Sequence, residues 1–583
     1  MAGREPQSGT LRAFGNKWFA PAVIVLAFVW AAATVAMHVM RRDRDDGLIV
    51  LRIGHWQLEP GVRIGLNEMA AEYQKQHPRV RIVQEAIPEG VYGQWSSTQF
   101  MGGTAPDIIE MGLGLPPAIT VSYYNRYCLR FSDLVNRPNP YNQGTEFENT
   151  SLRNTYKDGM IQSYIPELKE YMNVPLSQFA QRLFYNRDLY RRLTGKETPP
   201  SDWQGFMADC QRIAATKIPG TTLCYTPVVG SQYHIGYWDG AVLDLATWRL
   251  FEVADFNRDY YVGTDELFAA SALGLLDLSK TPAIRKRFEL ARQITSHMQP
   301  GFTGLTRDEG VFKFARQQAV FIPTGTWDVG SLITQAEGKF EVGIADFPIP
   351  APEDPDYGHW IPSPRFEKPS AGFNFTVTKF SRHPAVAVDF LLFLASKRGN
   401  EVFNRRVGWI PAIKNTEMTE ILKQFKPTTE GILGNFNYNL GGNTSVFYSQ
   451  MYSLFQVKQI GLNDFLDKLA AYYKTKGAED FDEQQKDWRR SAPATERISA
   501  VRRMDALESN PGTQGCRVAW RKYRNGSLDL VGGELNRWRL VTMIKAGGKP
   551  LAPYAYSAAA LDNIRRQVRE KADGQPAPAV PGR

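Results

Sequence analysis

The sequence predicts an α/β protein built from two lobes, and three observations carry that prediction. Residues 48–56, LIVLRIGHW, read as a buried strand; a helical stripe follows at Leu66, Met69, Ala70 and Tyr73, and residues 80–87 form a second strand bounded by prolines. A strand, helix, strand order of this kind places the two strands parallel in one sheet. A chain of 583 residues is also too long for one core, so two or three packed units are expected. Finally, within residues 171–190 an apolar strand carrying Leu183 and Phe184 ends in Tyr-Asn-Arg-Asp and passes into a helical pattern, which reads as the crossing between the lobes.

Composition narrows the functional classes. The net charge of +9 comes from mixed signs without long Lys/Arg runs, which argues against nucleic acid as a partner. Four cysteines without a C-x-x-C pair exclude a disulfide scaffold, a zinc ribbon and thioredoxin-like chemistry. Residues 18–40 are uncharged and long enough as a helix to cross a hydrocarbon core of roughly 30 Å, so an uncleaved single-pass anchor is expected there, after a short cytoplasmic N-terminus at 1–17. No cysteine in this region offers a lipid attachment point.

Further along, GGTAPDIIEMG at 102–112 turns from a loop into a buried strand. Ligands of open α/β sheets bind beyond the carboxyl ends of the strands, so Trp56, Glu110, Met111 and Gly112 become cleft candidates. Pro199 and Pro200 close the preceding pattern, Ser201 is the expected N-cap, and Trp203, Phe206, Met207, Cys210 and Ile213 form a core stripe. Cys224 lies on the next apolar stretch, leaving either a Cys210–Cys224 disulfide or two buried thiols. Residues 225–238, YTPVVGSQYHIGYW, form the most aromatic loop, and residues 319–332, AVFIPTGTWDVGSL, read as a strand, a tight turn at Gly325 and a helix opened by Trp327.

The motifs at 102–112, 171–190, 198–203, 319–332 and 407–412 resemble those of the extracellular solute-binding proteins of family 1, the carbohydrate receptors of ABC importers. The resemblance spans about residues 48–476. It implies a two-lobed periplasmic-binding-protein type II fold, with a first lobe from 48–180 and 372–414 and a second lobe from 181–371 and 415–476, leaving 477–583 as an extension without an assigned task. It implies sugar contacts at Tyr233, His234, Tyr237, Trp238 and Trp327, with Phe373, Trp409, Phe447 and Tyr448 as further cleft candidates. Aromatic rings suit such ligands because they cover the apolar faces of pyranose rings while polar neighbours take the hydroxyls. The implied role is delivery of a carbohydrate to ABC-permease subunits from outside the bacterial cytoplasmic membrane, with no catalysis and no required cofactor. A glycoside-processing enzyme or a ligand sensor on the same fold is the alternative.

One stretch departs from that resemblance. Asp255, Asn257, Asp259 and Glu266 occupy positions 1, 3, 5 and 12 of a twelve-residue segment between helical stripes, and the Tyr261 carbonyl falls at position 7. This is the spacing of a calcium-binding EF-hand loop, broken at Tyr260, where glycine normally permits the turn. It reads as either a structural calcium site or an acidic connection with no ion. In the C-terminal extension, residues 537–544 alternate as a strand would, and a helix is expected near 561–568.

Overall fold

The computed structural model describes residues 47–367 and 370–545. The predicted anchor at 18–40 and the helix expected near 561–568 lie outside the described residues. Among the described residues no helix is long and apolar enough to cross a membrane.

Among the described residues, twelve strands build three sheets: β1 (Ile49–His55), β2 (Val80–Ala86), β3 (Ile108–Glu110), β4 (Tyr164–Ile165), β5 (Glu170–Tyr171), β6 (Val174–Phe179), β7 (Gln181–Asn186), β8 (Thr226–Val228), β9 (Ala319–Gly325), β10 (Val342–Ala345), β11 (Ser370–Val377) and β12 (Ile410–Pro411). The larger sheet has the order β12-β6-β11-β3-β1-β2, the second β10-β7-β9-β8, and β4 and β5 form a small hairpin. As the sequence predicts, β1 and β2 are parallel, joined over helix Pro60–Gln76, on which Leu66, Met69, Ala70 and Tyr73 are all buried.

Each sheet has its own core. Leu51, Ile53, Phe375, Phe390 and Trp409 belong to the core of the first lobe, and Leu183, Trp203, Trp238, Phe288 and Phe321 to that of the second. The chain changes sheet across one residue: β6 ends at Phe179, β7 begins at Gln181, and Ala180 lies between. Thr326 pins this crossing from both sides, its N–H donating to the Ala180 carbonyl at 2.9 Å and its hydroxyl accepting from the Ala180 N–H at 3.3 Å. Arg182, buried beside it, donates to both oxygens of Glu367 at 2.7 and 3.1 Å and to the Lys426 carbonyl at 2.7 Å. A planar guanidinium satisfies a carboxylate in this bidentate way, so one side chain ties three connections together.

Several local expectations are corrected. Asp202, not Ser201, caps helix Trp203–Ala215, accepting from the Gly205 N–H at 2.7 Å. The aromatic loop at 225–238 is partly helical: Ser231 starts helix Gln232–Ala241 with a reciprocal cap to His234. Cys210 is buried, Cys224 is exposed and both are free. Residues 537–544 belong to helix Gln514–Lys545, because Leu540, Val541 and Ile544 also satisfy a helical face and pack inward. Helix Leu462–Glu508 runs through residues 476 and 477 without a break.

Candidate functional site

The site is best built outward from Gly325, at the end of β9. A Cβ there would lie 2.3 Å from the indole of Trp327, so only glycine lets that ring fold back over the turn. With Thr326 fixed on Ala180, the indole rests edge-on against Phe179 at 5.6 Å and tilted against Tyr237 at 5.8 Å. Beneath it, the Trp409 Nε1–H donates to the Trp327 carbonyl at 3.3 Å, and Trp409 itself packs against Phe179 and Phe373.

Trp327 lines a cavity of about 860 Å³ at the crossing between the two sheets. Lys157, Gln162 and Gln178 reach it from the first lobe, and Gln181, Arg365 and Glu367 from the second and its connection. This size and mixed lining suit a small organic ligand. Lys157 donates to the Pro411 carbonyl at 2.7 Å, and burial lowers its pKa to about 8. The folded state therefore gives up this proton more readily than the unfolded chain. Between about pH 8 and the ordinary lysine pKa the unfolded state binds more protons, so stability from this group rises with pH in that window. Lys157→Met is expected to be the more stable protein at pH 7.5, by on the order of 2 kcal/mol after discounting for partial solvation, and the advantage should shrink by pH 10 in paired urea titrations.

On the other side of Trp327 lies a polar cluster. Arg307, at the start of helix Arg307–Ala315, forms an ion pair with the buried Asp328, which also accepts from the Thr324 hydroxyl. Glu59 reaches toward this pair from the end of the loop after β1 and feels the charges of Arg307, Asp328 and Asp308. Burial raises its carboxyl pKa, with Arg307 opposing the shift. His234 accepts from the Ser231 N–H on Nδ1 at 3.0 Å, which leaves the proton on Nε2; burial lowers its pKa to about 3, so the ring is neutral. Four buried polar atoms here have no partner among the described residues: Glu59 Oε2, His234 Nε2, Tyr237 Oη and Trp327 Nε1. Buried polar atoms are nearly always paired in folded proteins, and an unmet group is costly. One acceptor, two N–H donors and a hydroxyl, with the half-exposed Tyr233 ring close by, are left able to hydrogen-bond a polar molecule.

The predicted residues divide accordingly. Tyr233, His234, Tyr237 and Trp327 come together, with Tyr233 half exposed and edge-on to Tyr237 at 5.1 Å. Trp56 is half-buried against Tyr92 at 5.0 Å, and Gly112 is exposed. Glu110 is fully buried and accepts from the Trp56 N–H at 3.3 Å and the Gln57 amide at 3.2 Å, so it holds the loop that carries Glu59 rather than meeting a ligand directly. Met111, Trp238, Phe373 and Trp409 are core residues, a correction with one cause: each points to the packed side of its element. Phe447 stacks on Tyr472 at 3.7 Å and Tyr448 on Tyr452 at 5.3 Å, both away from the cavity lining. Glu59, Lys157, Arg182 and Arg307 were not singled out from sequence. Glu59 was within reach, because it lies just beyond the carboxyl end of β1, ahead of a helix. Arg307 was hidden in a capping box, Thr306 to Glu309, that reads as a helix start and nothing more.

In the 255–266 segment, Tyr260 takes φ +64, the turn that its position requires. Asp255 accepts from the N–H groups of Arg258, Asp259 and Tyr260, and Glu266 from those of Phe256, Asn257 and Gly263. Asp259 and Asn257 close further turns on the same loop, and among the described residues no group of three or more His, Cys, Asp or Glu is gathered to hold a metal.

Residues 60–401 match the family of the bacterial extracellular solute-binding proteins, and the chain belongs to that family. A curated relative, the multiple sugar-binding protein of Streptococcus mutans serotype c, is 19% identical over 303 residues, which are 48% of this chain and 59% of the relative. The match thus spans about three fifths of that relative's length. A solved structure described with xylan utilization by Caldanaerobius polysaccharolyticus superposes with a TM-score of 0.51 at 16% identity, covering 73% of this chain and 99% of the other. RafE from Streptococcus pneumoniae in its apo form gives 0.49 at 16% identity, covering 73% and 97%. At 16% identity the first of these structures shows a shared α/β fold.

Proposed function

We propose that this protein is an extracytoplasmic receptor that captures a carbohydrate, an oligosaccharide by the family resemblance, between its two lobes and passes it to an ABC permease. The observation that carries the reading is the set of four unpartnered buried atoms, Glu59 Oε2, His234 Nε2, Tyr237 Oη and Trp327 Nε1, set among aromatic rings. A sugar supplies what that set lacks: hydroxyls that donate and accept, and CH faces for the rings. The sugar-binding name of the curated relative agrees with it. Groups from both lobes face the ligand, so binding favours a closed arrangement through contacts absent when the lobes part. The predicted membrane anchor at 18–40 would hold the receptor near its permease.

Glycoside processing is the second reading. Hydrolysis needs one protonated carboxyl and one free carboxylate flanking the bond. Glu59 suits the first role, but Asp328 has its oxygens committed to Arg307 and Thr324, which favours binding over catalysis. The deciding experiment is thermal unfolding of the purified protein against a panel of oligosaccharides, with product analysis of every hit. A rise in Tm with intact sugar is expected, because a ligand of the native state stabilises by mass action. Shortened sugar would move hydrolysis to first place, and no shift across the panel would sink the carbohydrate assignment.

Calcium at 255–266 is a separate proposal, resting on an all-oxygen donor set of the kind hard cations prefer. Adding 1 mM calcium should raise Tm and EDTA should reverse it; identical melting in both would leave an acidic connection.

A further inference from the structure

Two long helices have no role in the site described above. Leu462–Glu508 and Gln514–Lys545 form an antiparallel hairpin, with Ser499 Oγ meeting Ser527 Oγ at 2.9 Å and Arg537 lying 4.6 Å over the Trp488 ring. The two ends of this hairpin are attached differently. On the second lobe the attachment is mainly apolar: Phe465, Leu466, Leu469 and Tyr473 are part of the core, and Phe481 stacks on Phe268 at 5.0 Å. Arg539 adds a hydrogen bond to the Phe256 carbonyl at 3.3 Å. On the first lobe the attachment is made through charged groups, among them Arg502, itself buried, which faces Glu170 and Tyr164. Lys169 pairs with Asp529, and Lys522 approaches Glu170 at 3.5 Å.

Both attachment points flank the cavity. Gln162 lines it and lies just before the β4–β5 hairpin that carries Lys169 and Glu170. Tyr261 lines it from the loop whose Phe256 is held by Arg539. The hairpin therefore bridges the rim of the cavity from one lobe to the other.

We propose that the hairpin is a strap that limits separation of the lobes, seated permanently in the second lobe and releasable from the first. The difference in chemistry gives it that character. Buried apolar contact is not weakened by added NaCl, whereas an ion pair with an exposed partner, such as Lys169–Asp529, is individually weak and loses strength as ionic strength rises. This inference needs only the two lobes and the hairpin, and stands whatever the ligand.

The test uses the full chain and hydrogen exchange, with small-angle scattering alongside. Asp529→Lys sets two cations against each other at Lys169, and Lys169→Glu/Asp529→Lys restores an opposite pair in reverse. In the single variant, amides at 515–530 are expected to exchange at least about fivefold faster and the radius of gyration to increase, while amides at 462–485 keep their protection. The double variant should return to wild-type behaviour, and 0.5 M NaCl should mimic the single variant in the wild type. Unchanged exchange would overturn the strap. So would faster exchange at an unchanged radius, since a contact that lifts without freeing the lobes restrains nothing. Equal acceleration at 462–485 would also overturn it, by showing general loosening.

Discussion

Arg307→Ala is expected to destabilise the protein by about 3–5 kcal/mol, the cost of leaving a buried charge without its partner. Asp328 is almost wholly buried, and Arg307 is its one ionic partner among the described residues. Removing the guanidinium also takes away the cation that offsets the repulsion Glu59 feels from Asp328. The pH dependence provides a check on cause. An unpaired buried aspartate has its pKa raised above the unfolded value, so the folded variant binds more protons and regains stability as pH falls through that raised pKa. Urea unfolding should therefore show a larger deficit at pH 7.5 than at pH 5. Arg307→Ala/Asp328→Asn should recover much of the loss at pH 7.5, because the stranded charge is gone. A deficit that is the same at both pH values, with no recovery in the double variant, would show that Arg307 acts through packing.

Trp327→Ala is expected to weaken sugar binding by at least about tenfold, or about 1.4 kcal/mol, through loss of the ring face. Trp327→Phe divides the effect: it keeps an aromatic face and removes the Nε1–H donor that has no partner in the described residues. The phenylalanine variant should bind between wild type and alanine. Isothermal titration with the best sugar from the thermal panel measures both, and circular dichroism controls for folding, since the indole also packs on Phe179. Equal affinity in all three proteins would remove Trp327 from the site.

Much of the fold was readable because its signals are local. The stripe at Leu66, Met69, Ala70 and Tyr73 specifies one buried helix face, and the strand, helix, strand order around it specifies that β1 and β2 run parallel. Residues 537–544 were misread for the same reason: a short apolar run satisfies both a twofold and a 3.6-fold period, and only the packing of Leu540 against the second lobe chooses between them. The site was readable in part. Trp327 and the tyrosines at 233 and 237 stand out as large aromatics at turns and helix starts. Glu59, Arg307 and Lys157 do not, because a charged residue in a loop or helix cap looks the same whether it faces solvent or another lobe.

What the sequence alone determined is therefore the α/β class and the family, both set by runs of neighbouring residues. The tertiary structure decided which of the candidate aromatics are core, as with Trp238 and Trp409, and which face open space, as with Tyr233. It also decided that Glu59 comes within range of the charges of Arg307 and Asp328, and that the C-terminal helices bridge two lobes. Burial and ion pairing are properties of residues brought together from distant parts of the chain. Lys169 and Asp529 acquire theirs only once the hairpin has crossed from the second lobe to the first.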